Sequence, residues 1–171
     1  NTNETIYLIN KIIKEYNIKT ILDLGCGDWN WFKLINIEGI SYTGWDAHKG
    51  MINLNIKKYG KNNINFNVKD IILEEYPKTD LIICRNVLFH LDISLAKKCI
   101  NKIKNSCKYF ISTSFNNIKE NTNIKEYCGI KNWGFYRINL NISPFSLNKY
   151  MIESINEKNN SNNGSKRFIN L

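Results

Sequence analysis

The stretch over residues 20–32, TILDLGCGDWNWF, constrains the fold more than any other part of the chain. Ile21, Leu22 and Leu24 form an apolar run too short for a helix, which reads as a buried strand. Gly25 and Gly27 permit a tight turn around Cys26, in which backbone N–H groups are expected to come close to a ligand. Asp28 stands where a helix N-cap would stand, ahead of Trp29, Trp31 and Phe32, and a short helix is expected to run to about Ile35. A strand, a glycine turn and a helix make a nucleotide-binding corner. The G-x-G-x-x-G pattern is incomplete, because Asn30 and Trp31 follow where a third glycine would fall. That departure argues against NAD and FAD. A tight turn of this kind also occurs in α/β proteins with no ligand there, so later positions must decide.

Residues 5–16 place Ile6, Ile9, Ile12, Ile13 and Tyr16 at helical spacing. Residues 41–46, SYTGWD, read as a second strand ending in Asp46. That acid lies about 20 residues beyond the turn, where a carboxylate accepts from ribose hydroxyls. A crossover helix is expected over residues 48–59, stopped by Gly60. Ile64, Phe66 and Val68 alternate with Asn65, Asn67 and Lys69, a strand with one wetter face, closed by Asp70-Ile71. Residues 80–84, DLIIC, are continuously apolar after the acid, as in a central parallel strand. A helix over 92–104 and a strand over 108–115 follow.

Helix then strand, five times over, predicts an α/β protein with a Rossmann-like, doubly wound, mostly parallel sheet. Residues 150–155 and 166–171, separated by the polar turn 157–164, are expected to add a C-terminal antiparallel hairpin. Ligands of such sheets sit beyond the carboxyl ends of the strands, where Gly25, Asp46, Asp70 and Arg85 all fall. No repeat or composition break divides residues 1–171, which read as one domain; the first residue, Asn rather than Met, suggests a piece excised from a longer polypeptide.

Composition removes several classes. At 43% hydrophobic and 23% charged residues the chain reads as soluble and globular. No apolar run approaches the ~20 residues that cross a bilayer, so no membrane partner is expected. Cys26, Cys84, Cys99, Cys107 and Cys128 are odd in number and lack a C-x-x-C, which fits a reduced, cytoplasmic setting. Two histidines, neither at ligand spacing with a cysteine, give no metal site. The net charge of +9 fits either an anionic partner or scattered lysines. Without a block of five or six like charges, nucleic acid is not the expected partner.

D-L-G-C-G, Asp23 to Gly27, followed by acids at successive strand ends, resembles the first motif of class I S-adenosylmethionine (SAM)-dependent methyltransferases. The resemblance runs from about Ile21 to Phe115. It implies S-adenosyl-L-methionine as cofactor, with Asp23, Gly25, Cys26, Gly27, Trp31, Asp46, Asp70, Ile71, Cys84 and Arg85 as the residues around it. Asp70 would accept from the adenine amino group, Ile71 would pack on the ring, and Arg85 would orient the methionyl portion. A narrower likeness covers GDWNWF, YTGWD, KDI, DLIICRNVLFHL and the late Asn139-Leu140 and Pro144-Phe145 pairs. It resembles methyltransferases found beside or fused to glycosyltransferases in bacterial and large-virus glycan loci. That likeness implies O-methylation of a sugar hydroxyl on a glycan or nucleotide sugar, and a fused or associated glycosyltransferase as partner. Where that group usually carries Asp, this chain has Asn86.

An alcohol acceptor must lose a proton, so a base is required. His90, a few residues past the central strand, is the first candidate; the alternative is a histidine packed at a helix start. Asp28 is second, against the simpler N-cap reading, and His48 is expected near adenosine or in solvent. Trp133, Phe135, Tyr136 and Arg137 are candidates for the acceptor wall, stacking on a sugar face and meeting a phosphate, or else they pack beneath the hairpin. Trp29 and Trp31 could stack on a ligand or pack in the core. The segment Cys84-Arg85-Asn86-Val87 lacks the proline motif of amino-methylating DNA enzymes and the acid of the Lys-Asp-Lys-Glu tetrad of RNA ribose methyltransferases. RNA or another small molecule as acceptor, and a non-catalytic module, remain the alternatives.

Overall fold

A computed structural model describes residues 2–122, 137–156 and 165–170, the last six and Asn156 as backbone only. In chain order the elements are α1 (Asn3–Glu15), β1 (Thr20–Leu24), β2 (Ser41–Asp46), α2 (Lys49–Tyr59), β3 (Ile64–Val68), β4 (Thr79–Cys84), α3 (Ile93–Ser106), β5 (Cys107–Ser114), β6 (Met151–Asn156) and β7 (Ser165–Asn170). They build one seven-stranded sheet in the order β3-β2-β1-β4-β5-β7-β6. The first five strands run parallel, and β7 inserts antiparallel between β5 and β6. The sheet is therefore Rossmann-like and mostly parallel, with the expected closing hairpin.

Alternation within the central strands splits the core into two layers. Ile21, Leu81, Ile83 and Ile111 face α1 and α2, packing with Leu8, Ile9, Ile12 and Ile52. Leu22, Leu24, Ile82, Cys84 and Phe110 face α3, packing with Ala96, Cys99, Ile100 and Ile103. Burying each such side chain fully contributes about 1.5–3 kcal/mol, and β1 and β4 are buried on both faces as the continuous apolar runs required. At the amino edge, Asp80 Oδ2 accepts from the backbone N–H groups of Lys19 and Thr20 and from the Thr20 hydroxyl, tying the start of β4 to that of β1.

The helix count differs from the expectation. Among the described residues there are three α-helices. Between β1 and β2 the chain makes only a 3-10 turn, Phe32–Leu34, because Trp29 takes a left-handed backbone conformation (φ 59°) that interrupts any helix starting at Asp28. Between β3 and β4, the Asp70 carbonyl accepts from Leu73 and Glu74 in a single turn. The Tyr76 hydroxyl then donates to the Ile71 carbonyl, and Pro77 disfavours helical backbone just before it.

Parallel register brings the carboxyl ends of the strands level. Leu24 pairs with Trp45, Asp46 with Val68, Asp23 with Ile83, and Cys84 with Ser112. Beyond β5 the chain returns to this edge: Phe115 N–H donates to the Ile138 carbonyl at 2.9 Å and Leu140 N–H to the Ser114 hydroxyl at 3.0 Å. Asn121 and Asn139 hold the returning segment to the outgoing one, Asn121 accepting the Asn139 N–H and donating to the Asn139 carbonyl. Leu140 and Phe145, of the late sequence pairs, are buried beneath it.

Candidate functional site

At the end of β1, Gly25 and Gly27 both take positive φ, 75° and 57°. They need to be glycine for different reasons. A Cβ on Gly25 would collide with the Val87 side chain, whereas a Cβ on Gly27 would meet nothing within 4 Å. The segment after β4 therefore closes over Gly25, while Gly27 borders open space.

The N–H groups of this turn do not face a ligand. Those of Gly25 and Cys26 both donate to the Trp45 carbonyl, at 2.8 and 3.0 Å, and that of Gly27 donates to Asp46 Oδ2 at 3.1 Å. The expectation of N–H groups approaching a ligand is overturned: the end of β2 takes all three. With no α-helix following the turn, the two devices that bind a pyrophosphate, an N–H cradle and a helix N-terminus, are both missing here.

Asp46, half-buried, also accepts the His48 N–H at 2.9 Å through Oδ1. Its carboxylate is thus oriented by two backbone donors, with further acceptor capacity left on both oxygens. His48 is the N-cap of α2, its Nδ1 accepting the Met51 N–H at 3.1 Å. Asn55, fully buried on α2, donates to the Gly27 carbonyl at 2.7 Å. Sequence reading gave Asn55 no role; the available signal was an amide one turn after Ile52 on a helix face directed inward.

Asp23 lies beneath the turn and accepts the Tyr42 hydroxyl at 2.9 Å. Burial raises its carboxyl from the ordinary 3.8 to about 7, opposed by that hydrogen bond and by the Arg85 charge. The Arg85 guanidinium stacks over the Trp31 indole, 4.8 Å from the ring centroid. Asp80, at the opposite edge of the sheet, is bound to Lys19 and Thr20 instead. Cys26 and Cys84 are buried, and burial pushes both thiols up, so neither is a nucleophile. The Cys84 side chain packs in the α3 core and its carbonyl accepts the Ser112 hydroxyl.

Asp70 is exposed just past β3 and accepts the Ile72 N–H at 2.8 Å; Ile71 beside it is buried in the α3 core. Asp28 is not an N-cap. Its carboxylate holds Asn30 through backbone and side chain, at 3.1 and 2.6 Å, an Asx-type turn in place of the expected helix start. Trp29 is buried among Phe32, Tyr42, Tyr59 and Phe66, which favours its core reading. Asn86, at φ 59°, exchanges hydrogen bonds with Thr113: its N–H donates to the hydroxyl and its side-chain oxygen accepts from it.

His90 is exposed in the 3-10 turn Leu88–His90 that follows β4, its ring 4.5 Å from that of Phe89. The turn leads into α3, whose N-cap is Asp92. Arg137 is exposed next to Ile138, which pairs with Phe115 beyond β5. Trp133, Phe135 and Tyr136 lie outside the described residues. The glycine turn, Asp46, Asp70, Arg85, His90 and Arg137 thus share the carboxyl edge. Among the described residues no three His, Cys, Asp or Glu side chains gather as a metal site, and none of the helices is long and apolar enough to cross a membrane.

The family described as "Methyltransferase domain" matches residues 17–163. No curated protein matches the sequence. Among solved structures the chain is similar to the methyltransferase domain of bacterial CtHen1-CN, with a TM-score of 0.70 and 14% identity over 100% of both chains. It is similar to the N-methyltransferase NodS of Bradyrhizobium japonicum WM9 in complex with S-adenosylhomocysteine (SAH), with a TM-score of 0.72 and 13% identity over 98% of this chain and 86% of that one. Magnesium protoporphyrin IX methyltransferase of Synechocystis PCC 6803 with bound SAM gives a TM-score of 0.68 and 14% identity over 96% and 77%. At such identities the likeness is one of fold.

Proposed function

The chain belongs to the SAM-dependent methyltransferase domain family, and from that premise we propose that it transfers a methyl group to a sugar hydroxyl of a glycan or nucleotide sugar. SAM supplies an electrophilic methyl group on a sulfonium when bound. The residues present fit this cofactor: the turn offers no pyrophosphate cradle, and carboxylates stand at the ends of β2 and β3. Asp46 would hold the ribose hydroxyls and Asp70 the adenine amino group. Trp31 and Arg85, stacked on each other, would take the methionyl end.

The observation that carries the hydroxyl reading is His90, an exposed imidazole at the carboxyl edge one turn beyond β4. An amine attacks with its own lone pair, whereas an alcohol must give up its proton, and a positioned base adds about 10²–10⁴-fold. Asn86 cannot serve, being an amide bonded to Thr113. Asp28 has Asn30 on both carboxylate oxygens and no helix dipole behind it, so it is the weaker base candidate. Arg137, exposed, would meet an anionic group on the acceptor, as a nucleotide sugar would carry. A fused or associated glycosyltransferase would supply such an acceptor.

An RNA ribose hydroxyl is the second reading, favoured by the net charge of +9. The test is methyl transfer from labelled SAM to a panel of nucleotide sugars, glycans and RNA. Labelled sugar supports the proposal; label in RNA alone overturns it.

A further inference from the structure

We infer that Asn55 is a positioning residue for the cofactor, holding the glycine turn and, through it, the carboxylate of Asp46. The inference goes beyond the methyltransferase reading, since it gives a role in cofactor binding to a residue of α2 that lies outside the glycine-turn motif.

Three observations carry it. The first is cost. Only two residues of α2 beyond its cap are buried, Ile52 and Asn55. Asn is a mediocre helix former, and burying an amide is unfavourable unless it is hydrogen-bonded. A helix that only covered the sheet would place an apolar residue there. The second is where the amide goes. Nδ2 donates to the Gly27 carbonyl at 2.7 Å, a contact across 28 residues of chain. The third is what Gly27 does with its other side. Its N–H donates to Asp46 Oδ2, and its Cα borders open space. The two backbone groups of Gly27 are therefore held from opposite sides, one by Asn55 and one by Asp46.

The coupling follows from this geometry. Gly27 sits in a left-handed conformation at φ 57° that a glycine leaves readily, because it has no side chain to confine it. With Asn55 in place, the carbonyl is fixed and the N–H keeps pointing at Asp46. The carbonyl and the N–H of Gly27 belong to successive peptides hinged at its Cα. Without Asn55 the carbonyl keeps only the weak Cys26 Sγ contact at 3.9 Å. The hinge loosens, and the N–H is held less firmly on Asp46 Oδ2, leaving the His48 N–H as the firmer anchor of that carboxylate. The fixed carboxylate is lost before the ligand arrives, so binding must bear the entropy of ordering it.

Asn55→Ala should weaken SAH binding about tenfold, as expected for one buried hydrogen bond. Turnover at saturating SAM should stay at the wild-type value, because Asn55 touches no reacting atom. Asn55→Gln, which keeps the donor, should recover part of the affinity. Unchanged SAH affinity in a folded Asn55→Ala protein overturns the inference, and so does an equal loss of kcat. A second measurement uses the wild-type chain: on adding SAH, the Asn55 side-chain amide resonances should shift and exchange more slowly. If they stay unmoved while SAH is bound, Asn55 is structural only. If SAH does not bind the wild-type chain at all, the cofactor assignment fails and not the role of Asn55 alone.

Discussion

Asp46 accepts the amide proton of Gly27 at 3.1 Å, so the acid that ends β2 and the glycine turn that ends β1 form one unit. Two sequence signals 19 residues apart are thereby joined by a single hydrogen bond. The bond also decides what the corner can bind, since an N–H that caps Asp46 is withdrawn from any phosphate.

The two glycines should respond differently to a methyl group. Gly27→Ala adds a Cβ into open space and costs about 1–2 kcal/mol for left-handed backbone in a non-glycine residue. Gly25→Ala bears the same strain and also drives into Val87. Denaturant unfolding of both variants should place Gly25→Ala clearly below Gly27→Ala. Equal stabilities would mean that the segment after β4 does not close over the turn.

Asp23 should give stability a pH slope of unusual sign for a carboxylate. Burial raises its folded pKa from 3.8 to about 7, so between those values the folded state binds a proton that the unfolded state has released. Stability from this group is complete below about pH 4 and declines as pH rises through about 7. Asp23→Asn, which keeps an acceptor for Tyr42 and cannot ionise, should flatten that slope. Thermal unfolding of both proteins between pH 4 and pH 8 measures it, and an identical pH profile in the variant would contradict the assignment.

Most of the architecture was legible in the sequence because central strands of a parallel sheet are buried on both faces. Leu81, Ile82, Ile83 and Cys84 had to be apolar without a break, and the acids that close β2 and β3 stand out against such runs. The bonds that assign the corner were not legible. The Trp45 carbonyl is backbone, and no residue type announces that it will take two N–H groups. Asp28 looked like an N-cap because its identity fits one; the left-handed Trp29 that breaks the helix is not a residue from which that conformation is expected. Asn55 carried only the signal of an amide one turn after Ile52 on an inward face, and nothing in the sequence named the Gly27 carbonyl it takes.

His90→Ala should leave SAH affinity unchanged and remove most of the turnover, about 10²-fold or more if chemistry limits the rate. Full activity in the variant would assign the exposed ring to the surface and return the search to Asp28.

Arg137→Ala should raise KM for an anionic acceptor while leaving SAH affinity and melting temperature in place. Steady-state kinetics with a nucleotide sugar and with a neutral glycan separate the two contributions. A melting temperature that falls with acceptor KM unmoved would make Arg137 a structural residue.

The central claim is that the carboxyl edge binds a SAM-type nucleoside through a carboxylate oriented by Gly27 and His48. Calorimetric titration of wild-type protein and Asp46→Ala with SAH and with NAD tests it most directly. The wild-type chain should bind SAH and not NAD, and Asp46→Ala should lose about 1.5–3 kcal/mol of SAH affinity with its fold intact. Binding of NAD without SAH, or an Asp46→Ala affinity equal to that of the wild type, would contradict the account.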